Sequence, residues 1–223
     1  MDLEDVVGAE GIEGLARMSE CSPQTANPYL SEFLSLRCAP DVLVSAFPVK
    51  RAAKEITESM AAIKHIRGVA LKEPLKYFLY DLCAGNALTS VIAAHLLPIK
   101  GAVAIDKRQR KRNWANAKKF SYIIEDIGRL SPDFFPEDSI IVSVHACRSL
   151  AKKIVELYRR SDASRMVLMP CCIGEFDKRY QFIADITGKY YAWAFQLAEM
   201  ADGRVHIDKN ILSPSNALVV AEK

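Results

Sequence analysis

The sequence predicts an α/β protein built on a mostly parallel seven-stranded sheet, with helices on both faces and an extra helical segment at the amino end. Two observations predict it. After Pro74, short apolar runs alternate with helical stretches, which is typical of a parallel sheet covered on both sides. Polar residues follow those runs, and parallel strands bring their carboxyl ends to one edge of the sheet, where ligands bind.

The amino-terminal segment is rich in proline, which excludes long helices there but allows a short one over Pro28–Leu36, capped by Asn27. From Val49 to Leu71, apolar residues recur at helical spacing, which predicts an amphipathic helix. We therefore expect a helical cap over residues 1–72 and the main domain over residues 73–223.

Apolar runs and periodicity after Pro74 predict the remaining elements. The expected strands are Leu75–Leu82, Ala102–Ile105, Tyr122–Ile124, Ile140–Val144, Met166–Met169, Arg204–Asp208 and Ala217–Ala221. The expected helices are Ala87–Leu97, Lys111–Phe120, Leu150–Tyr158 and Phe176–Met200, the last with a break at Gly188.

The composition and charge of the chain argue against a membrane-spanning or secreted protein. The chain has 223 residues, half of them hydrophobic, which is enough for one substantial core. Its net charge of +3 is too mild to indicate nucleic acid by itself. No apolar run could span a bilayer, and the acidic Met1–Glu10 stretch is unlike a signal peptide. We expect a cytoplasmic protein without a membrane partner, whose 6 cysteines are free thiols.

The segment Asp81–Ala87 predicts a cofactor site, because a strand there meets a tight turn and a helix start. Gly85 lets the backbone turn and lets a ligand approach closely. The turn lacks the three glycines of dinucleotide binders, which disfavours a nicotinamide oxidoreductase. Asp81 would repel a pyrophosphate and attract the ammonium group of an amino acid. The electrostatics therefore favour S-adenosylmethionine.

Two further acids follow the next strands. Asp106 is placed to accept hydrogen bonds from both hydroxyls of a ribose. Asp126 fits an acceptor for the adenine amino group, although an acid at this place is also an ordinary helix cap.

Five motifs in order, D-x-C-A-G-N-A, A-I-D-K-R, E-D-I, V-H-A-C and M-P-C-C, resemble those of class I S-adenosylmethionine-dependent methyltransferases. Within that class they look like the tRNA acceptor-stem 2'-O-methyltransferases and related methyltransferase-like proteins. The resemblance covers roughly Phe78–Gly174. Such relatives usually have glycine where Ala87 and Arg148 stand, and those acting on tRNA carry zinc modules that this sequence lacks.

The residues at the predicted strand ends, taken with the resemblance, form a set of expected site residues. The expected cofactor-binding residues are Asp81, Cys83, Ala84, Gly85, Asn86, Ala87, Asp106, Lys107, Asp126, Ile127 and His145. The expected substrate-binding residues are Lys50, Arg51, Arg108, Arg110 and Arg148.

His145, Cys147, Cys171 and Cys172 are expected near one another if their strands are adjacent. His145 is the candidate catalytic residue, either as a general base or as a residue that orients cofactor or substrate. The cysteine spacing differs from that of zinc knuckles, so we expect no metal. Cys171 and Cys172 are interpreted as small buried fillers.

The run Lys107–Arg112 is strongly basic, which fits either a solvated surface or contact with RNA phosphates. Together with the resemblance, it favours methyl transfer to RNA. A protein or small-molecule acceptor stays open, as does a catalytically silent binding module, which the departures at Ala87 and Arg148 would support. The Asn/Asp-Pro-Pro-Tyr motif of amino-methyltransferases is absent. The oligomeric state is not predicted.

Overall fold

A computed structural model describes residues 26–223, so the Met1–Glu10 stretch lies outside the described residues. The helices are α1 over Pro28–Ser35, α2 over Ala39–Ala46, α3 over Ala52–Lys72, α4 over Leu88–Leu96, α5 over Ser149–Arg160, α6 over Gln181–Thr187 and α7 over Lys189–Ala201. Across residues 26–223, no helix combines the length and the apolar character needed to cross a bilayer.

The strands are β1 over Phe78–Leu82, β2 over Gly101–Asp106, β3 over Phe120–Ile124, β4 over Ser139–Cys147, β5 over Arg165–Cys172, β6 over Arg204–Ile207 and β7 over Ala217–Glu222. They form one sheet in the order β3-β2-β1-β4-β5-β7-β6. β1 to β5 pair in parallel, and β7 runs antiparallel between β5 and β6. The predicted seven-stranded, mostly parallel α/β architecture is confirmed.

Successive side chains of each strand point to opposite faces of the sheet, so the strands contribute to two hydrophobic clusters, one on each face. On β4, Ile140 and Val142 pack under the layer formed by α1 to α4. Ile141 packs on the other face, under α5 and α7. The two helical layers therefore hold the sheet between them and leave its carboxyl edge open to a ligand.

Two local predictions about helix ends are confirmed. The Asn27 side chain accepts hydrogen bonds from the N–H groups of Tyr29 and Leu30 and thereby caps α1. Gly188 separates α6 from α7 with a backbone φ of 91°, a conformation that glycine adopts without strain.

The helix predicted over Lys111–Phe120 is wrong. That segment is irregular apart from one 3-10 turn at Trp114–Asn116, and β3 already begins at Phe120. The Trp114 ring stacks on Tyr122 at 4.0 Å between centroids, with 14° between the ring planes. This stacking fixes the segment against β3, and such tertiary contacts override weak helical propensity.

β4 and β5 extend past the predicted ends at Val144 and Met169, to Cys147 and Cys172. The pairing between them is irregular, with register shifts between Val144 and Ala146 and again between Ala146 and Cys147. The expected site residues at these strand ends therefore lie within paired but distorted strands.

Candidate functional site

A cavity of about 450 Å³, the main cavity, opens at the carboxyl ends of β1 to β4, where ligands bind in open α/β sheets. It is lined by Glu55, Cys83, Ala84, Gly85, Asn86, Asp106, Lys107, Arg108, Arg110, Glu125, Asp126, Ile127, Val144, His145, Cys147 and Leu150. All the residues expected to contact the cofactor are in this wall except Asp81 and Ala87.

The turn after β1 adopts a left-handed backbone at every second residue. Cys83 and Ala87 each have a φ of 60°, and Gly85 has a φ of 55°. This conformation costs roughly 1–2 kcal/mol for a residue with a Cβ, so only Gly85 adopts it freely. A Cβ added at Gly85 would meet nothing within 4 Å. The turn therefore presents bare backbone to open space.

Asp81 lies behind this turn, with only 2% of its surface exposed. Its carboxylate accepts a hydrogen bond of 2.9 Å from the Ser90 hydroxyl, in the first turn of α4. Burial raises the pKa of Asp81 to about 7, the nearby charge of Asp106 adds to the rise, and hydrogen bonds from Ser90 oppose it. Asp81 thus joins β1 to α4 and is not placed in the cavity wall.

Asp106 lies at the end of β2 and is almost completely buried. It accepts a hydrogen bond of 2.9 Å from the Gly85 N–H, which fixes the turn against β2. It also accepts 2.9 Å and 3.1 Å bonds from the backbone N–H and Nε of Arg108. Burial opposes its charge, yet these hydrogen bonds hold the pKa of Asp106 below its ordinary value. The cavity therefore contains a fixed carboxylate.

Asp126 follows β3 and both lines the cavity and caps a 3-10 turn. Its Oδ1 accepts a hydrogen bond of 2.9 Å from the Gly128 N–H. The cap that the sequence allowed at this position is present, and Ile127 beside it adds an apolar surface to the wall. Capping and ligand contact are compatible here, because a carboxylate has more than one acceptor site.

The distortion of β4 turns His145 toward α3. His145 has a φ of 73° and sits where the pairing with β5 shifts register. Bulges of this kind re-aim side chains. The His145 Nε2 lies 2.7 Å from Glu58 Oε2 and 3.1 Å from Lys54 Nζ. Lys54 also pairs with Glu58 at 2.7 Å. The imidazole is thus held by a charged pair at the cavity wall.

Sequence reasoning missed the contribution of α3 to this site. The Glu58 side chain is completely buried, and Glu55 lines the cavity one turn earlier. Burial raises the pKa of Glu55 above its ordinary value. The (i, i+4) spacing of Lys54 and Glu58 was visible, but such pairs usually occur on solvated helix faces. Only the long-range contact with His145 distinguishes them.

Basic side chains lie on one side of the cavity, whose wall includes Lys107, Arg108 and Arg110. Arg112 Nη2 donates to the Pro48 carbonyl at 3.1 Å and to Asn86 Oδ1 at 2.9 Å. These bonds hold the basic run beside the start of α3. We call the resulting surface the basic rim, and it consists of Lys50, Arg51, Lys107, Arg108, Arg110, Lys111 and Arg112.

Arg148 lies apart from the rim. It precedes α5 with a φ of 49° and lines a second cavity of about 470 Å³ with Ser149, Lys152 and Trp193. The structure therefore separates it from the other expected substrate-binding residues. Both positions where the sequence resemblance expects glycine, Ala87 and Arg148, have positive φ.

The interpretation of Cys171 and Cys172 as buried fillers is wrong, because both are partly exposed. The Cys171 sulfur lies 2.8 Å from that of Cys147 and 3.5 Å from that of Cys172. His145, expected beside them, contributes its carbonyl oxygen at 3.5 Å while its ring points to α3.

No protein-family model matches the chain, and no curated protein matches its sequence. Solved methyltransferases resemble it in fold. One is magnesium protoporphyrin IX methyltransferase from Synechocystis PCC 6803, solved with bound SAH. Its sequence is 10% identical, the match covers 99% of this chain and 98% of that protein, and the TM-score is 0.48. An rRNA methylase from Streptococcus thermophilus is 15% identical, covering 72% and 94%, with a TM-score of 0.46.

A TehB-like SAM-dependent methyltransferase from Corynebacterium glutamicum is 13% identical, covering 75% of this chain and 88% of its own, with a TM-score of 0.45. These identities are low, so what each neighbour methylates is a property of that neighbour. The strand order and the antiparallel β7 give this chain a Rossmann-like, mostly parallel seven-stranded sheet with helices on both faces.

Proposed function

We propose that this protein binds S-adenosylmethionine in the main cavity and transfers its methyl group to RNA. The observation that carries the first part is the pairing of a left-handed turn at Gly85 with the fixed carboxylate of Asp106, at the open edge of the sheet. The second part depends on the basic rim around the same opening.

The cavity suits the size and charge of this cofactor. Its volume of about 450 Å³ falls within the usual range for small-molecule sites. Four acids face it, on α3 and after β2 and β3: Glu55, Asp106, Glu125 and Asp126. The same wall carries Lys107, Arg108 and Arg110, and Arg108 pairs with Asp106. Such a mixed wall suits a ligand that carries ammonium, sulfonium and carboxylate charges together.

Individual residues take separate parts in holding the cofactor. Asp106 supplies acceptors for the ribose hydroxyls, and Gly85 leaves space for close approach to the backbone. Asp126 and Ile127 form the adenine side. Asp81 acts from behind by joining the turn to α4 through Ser90, so we assign it a supporting role in place of the direct contact that the sequence predicts.

When bound, S-adenosylmethionine supplies an activated methyl group, and the protein has to hold the acceptor in line with it. We assign His145 to this task. Glu58 and Lys54 fix its ring at the wall. Of the cap predicted over residues 1–72, residues 1–25 lie outside the described residues; we propose that α1 to α3 form its described part, and α3 brings Lys54, Glu58 and Glu55 to the site.

The basic rim supports RNA as the acceptor. Lys50, Arg51 and Lys111 are exposed and stand outside the cavity wall, so they are free to meet a polyanion. Phosphate neutralisation by lysine and arginine supplies most sequence-independent affinity for nucleic acids. The acids of the wall thus suit the cationic groups of the cofactor, and the exposed Lys50, Arg51 and Lys111 suit a polyanion.

Calorimetric titration with S-adenosylmethionine tests the cofactor site. We expect Asp106→Ala to weaken binding roughly 10- to 100-fold, from the loss of hydrogen bonds to a charged acceptor. Gly85→Arg should abolish binding by filling the cavity. Gly188→Arg is the matched control, since Gly188 also has positive φ and open space but lies outside the wall.

Unchanged affinity in both Asp106→Ala and Gly85→Arg would refute the site. If the unmodified chain binds no cofactor, the protein is a silent binding module, and the strained Ala87 in the turn then offers a structural reason.

A further inference from the structure

We propose that Cys147, Cys171 and Cys172 form a binding site for a thiophilic metal ion such as Zn²⁺ or Cu⁺. This group, the cysteine cluster, lies at the distorted ends of β4 and β5. The inference is independent of the proposed methyl transfer, because it depends only on the three side chains and their surroundings.

The distances between the three sulfur atoms suit a shared ion. All three lie within 4.8 Å of one another, with Cys147–Cys171 at 2.8 Å and Cys171–Cys172 at 3.5 Å. Zinc–sulfur bonds of about 2.3 Å in a tetrahedron place their sulfurs roughly 3.8 Å apart. The two shorter separations lie below that value and the third is at most 4.8 Å, so the sulfurs have to move apart by side-chain rotation, by about 1 Å for Cys147 and Cys171, to surround one ion.

Local backbone geometry brings the sulfurs together from two strands. Cys147 pairs directly with Cys172 across β4 and β5, immediately after the register shift at Ala146. The shift between Val144 and Ala146 leaves His145 as an extra residue on β4, and the shift between Ala146 and Cys147 leaves Cys171 as an extra residue on β5. These two adjacent bulges accompany the close approach of Cys147 to Cys171, while the His145 ring points to α3.

The surroundings differ from those of cysteines that only fill a core. All three are partly exposed, and Cys147 lines the main cavity. The flanking residues Arg148, Ile173 and Gly174 line the second cavity, so the cluster stands between two openings. An ion can reach it from solvent.

The charge of the three thiolates and the number of protein ligands indicate which kind of ion fits the cysteine cluster. Three thiolates around a divalent ion leave one net negative charge, which the adjoining Arg148 and the nearby Lys152 can offset. Soft thiolates select Zn²⁺ and Cu⁺ over Mg²⁺ or Ca²⁺. With three protein ligands, Zn²⁺ keeps one position for water, and such open positions are typical of catalytic zinc.

Metal titration of the reduced full-length protein tests the proposal. Zn²⁺ is added in competition with a chromophoric chelator, Cu⁺ is added in a separate series, and Co²⁺ serves as a spectroscopic probe. We expect one ion per chain and a Co²⁺ spectrum with thiolate charge-transfer absorption. Tighter retention of Cu⁺ than Zn²⁺ relative to the chelator would assign the site to copper, and the reverse to zinc.

Serine substitutions locate the site. Cys171→Ser should weaken binding by about 100-fold or more, because loss of a direct ligand exceeds the effect of losing an outer partner. Cys172→Ser should do the same, whereas Cys38→Ser, a partly exposed cysteine outside the cluster, should not. Circular dichroism checks that each variant is folded.

Three results would overturn the metal site: no bound ion, equal affinity in Cys171→Ser and the unmodified chain, or a Cys147–Cys171 disulfide that persists in reductant. Failure of S-adenosylmethionine binding would leave this result unaffected, so the two proposals are tested separately.

Discussion

The buried carboxyl group of Asp81 makes the stability of the fold depend on pH in a defined direction. In the unfolded chain its pKa is the ordinary 3.8, and in the folded chain burial raises the pKa to about 7. Between these values the folded state keeps a proton that the unfolded state has released. The free energy of unfolding therefore falls as pH rises through this window, and the effect levels off above the folded pKa.

The size of this effect follows from the difference between the two pKa values. Each unit corresponds to about 1.36 kcal/mol, so the ionised Asp81 side chain destabilises the fold by about 4 kcal/mol at pH 8. Asp81→Asn keeps the shape and an acceptor for the Ser90 hydroxyl but cannot ionise. The variant should gain stability relative to the unmodified chain as pH rises, by up to that amount.

Urea unfolding of both chains at pH values from about 4 to 8 measures the difference, and groups common to both cancel. Asp185→Asn, the same substitution at an exposed position of α6, controls for the chemical change itself. A difference between Asp81→Asn and the unmodified chain that stays constant with pH would refute the reasoning.

Three further predictions concern the basic rim, the contacts of Glu58 and the stacking of Trp114. In filter binding with RNA, Lys111→Glu should lower the affinity and reduce the slope of log affinity against log salt concentration by about 0.7 per lost phosphate contact. Arg160→Glu, at the far end of α5, is the control and should change neither. Equal losses of affinity in the two variants would contradict RNA binding by the basic rim. Glu58→Ala should lower the free energy of unfolding by roughly 2–3 kcal/mol in urea titrations, because Lys54 and His145 lose their buried charged partner. An unchanged free energy of unfolding would contradict a stabilising role for these contacts. Trp114→Ala should cost about 2 kcal/mol by the same measurement, and an unchanged value would show that the stack with Tyr122 is dispensable.

The parts of the fold that the sequence predicts well are those encoded locally. Apolar runs of strand length alternate with helical periodicity, and the order of the strands in the chain limits the possible topologies. Gly85 and Asp106 could be identified because each lies at or just past the end of a strand, and the parallel arrangement brings them to the same edge. Their contact at 2.9 Å follows from that shared edge.

The parts that could not be predicted depend on contacts between distant segments. Glu58 and His145 are 87 positions apart, and nothing in the spacing of α3 indicates that this acid is buried against the histidine. The irregular segment at Trp114 depends on stacking with β3, which outweighs its helical propensity. The register shift in β4 leaves no mark in the hydrophobic pattern, so the grouping of Cys147 with Cys171 appears only in three dimensions.

A crystal structure of the chain with bound S-adenosylhomocysteine tests the cofactor site most directly. The nucleoside should occupy the main cavity, with its ribose hydroxyls on Asp106, its adenine against Ile127 and its amino-acid part beside the turn at Gly85. Ligand density in the second cavity alone, or a ribose held by residues other than Asp106, would contradict the proposed site.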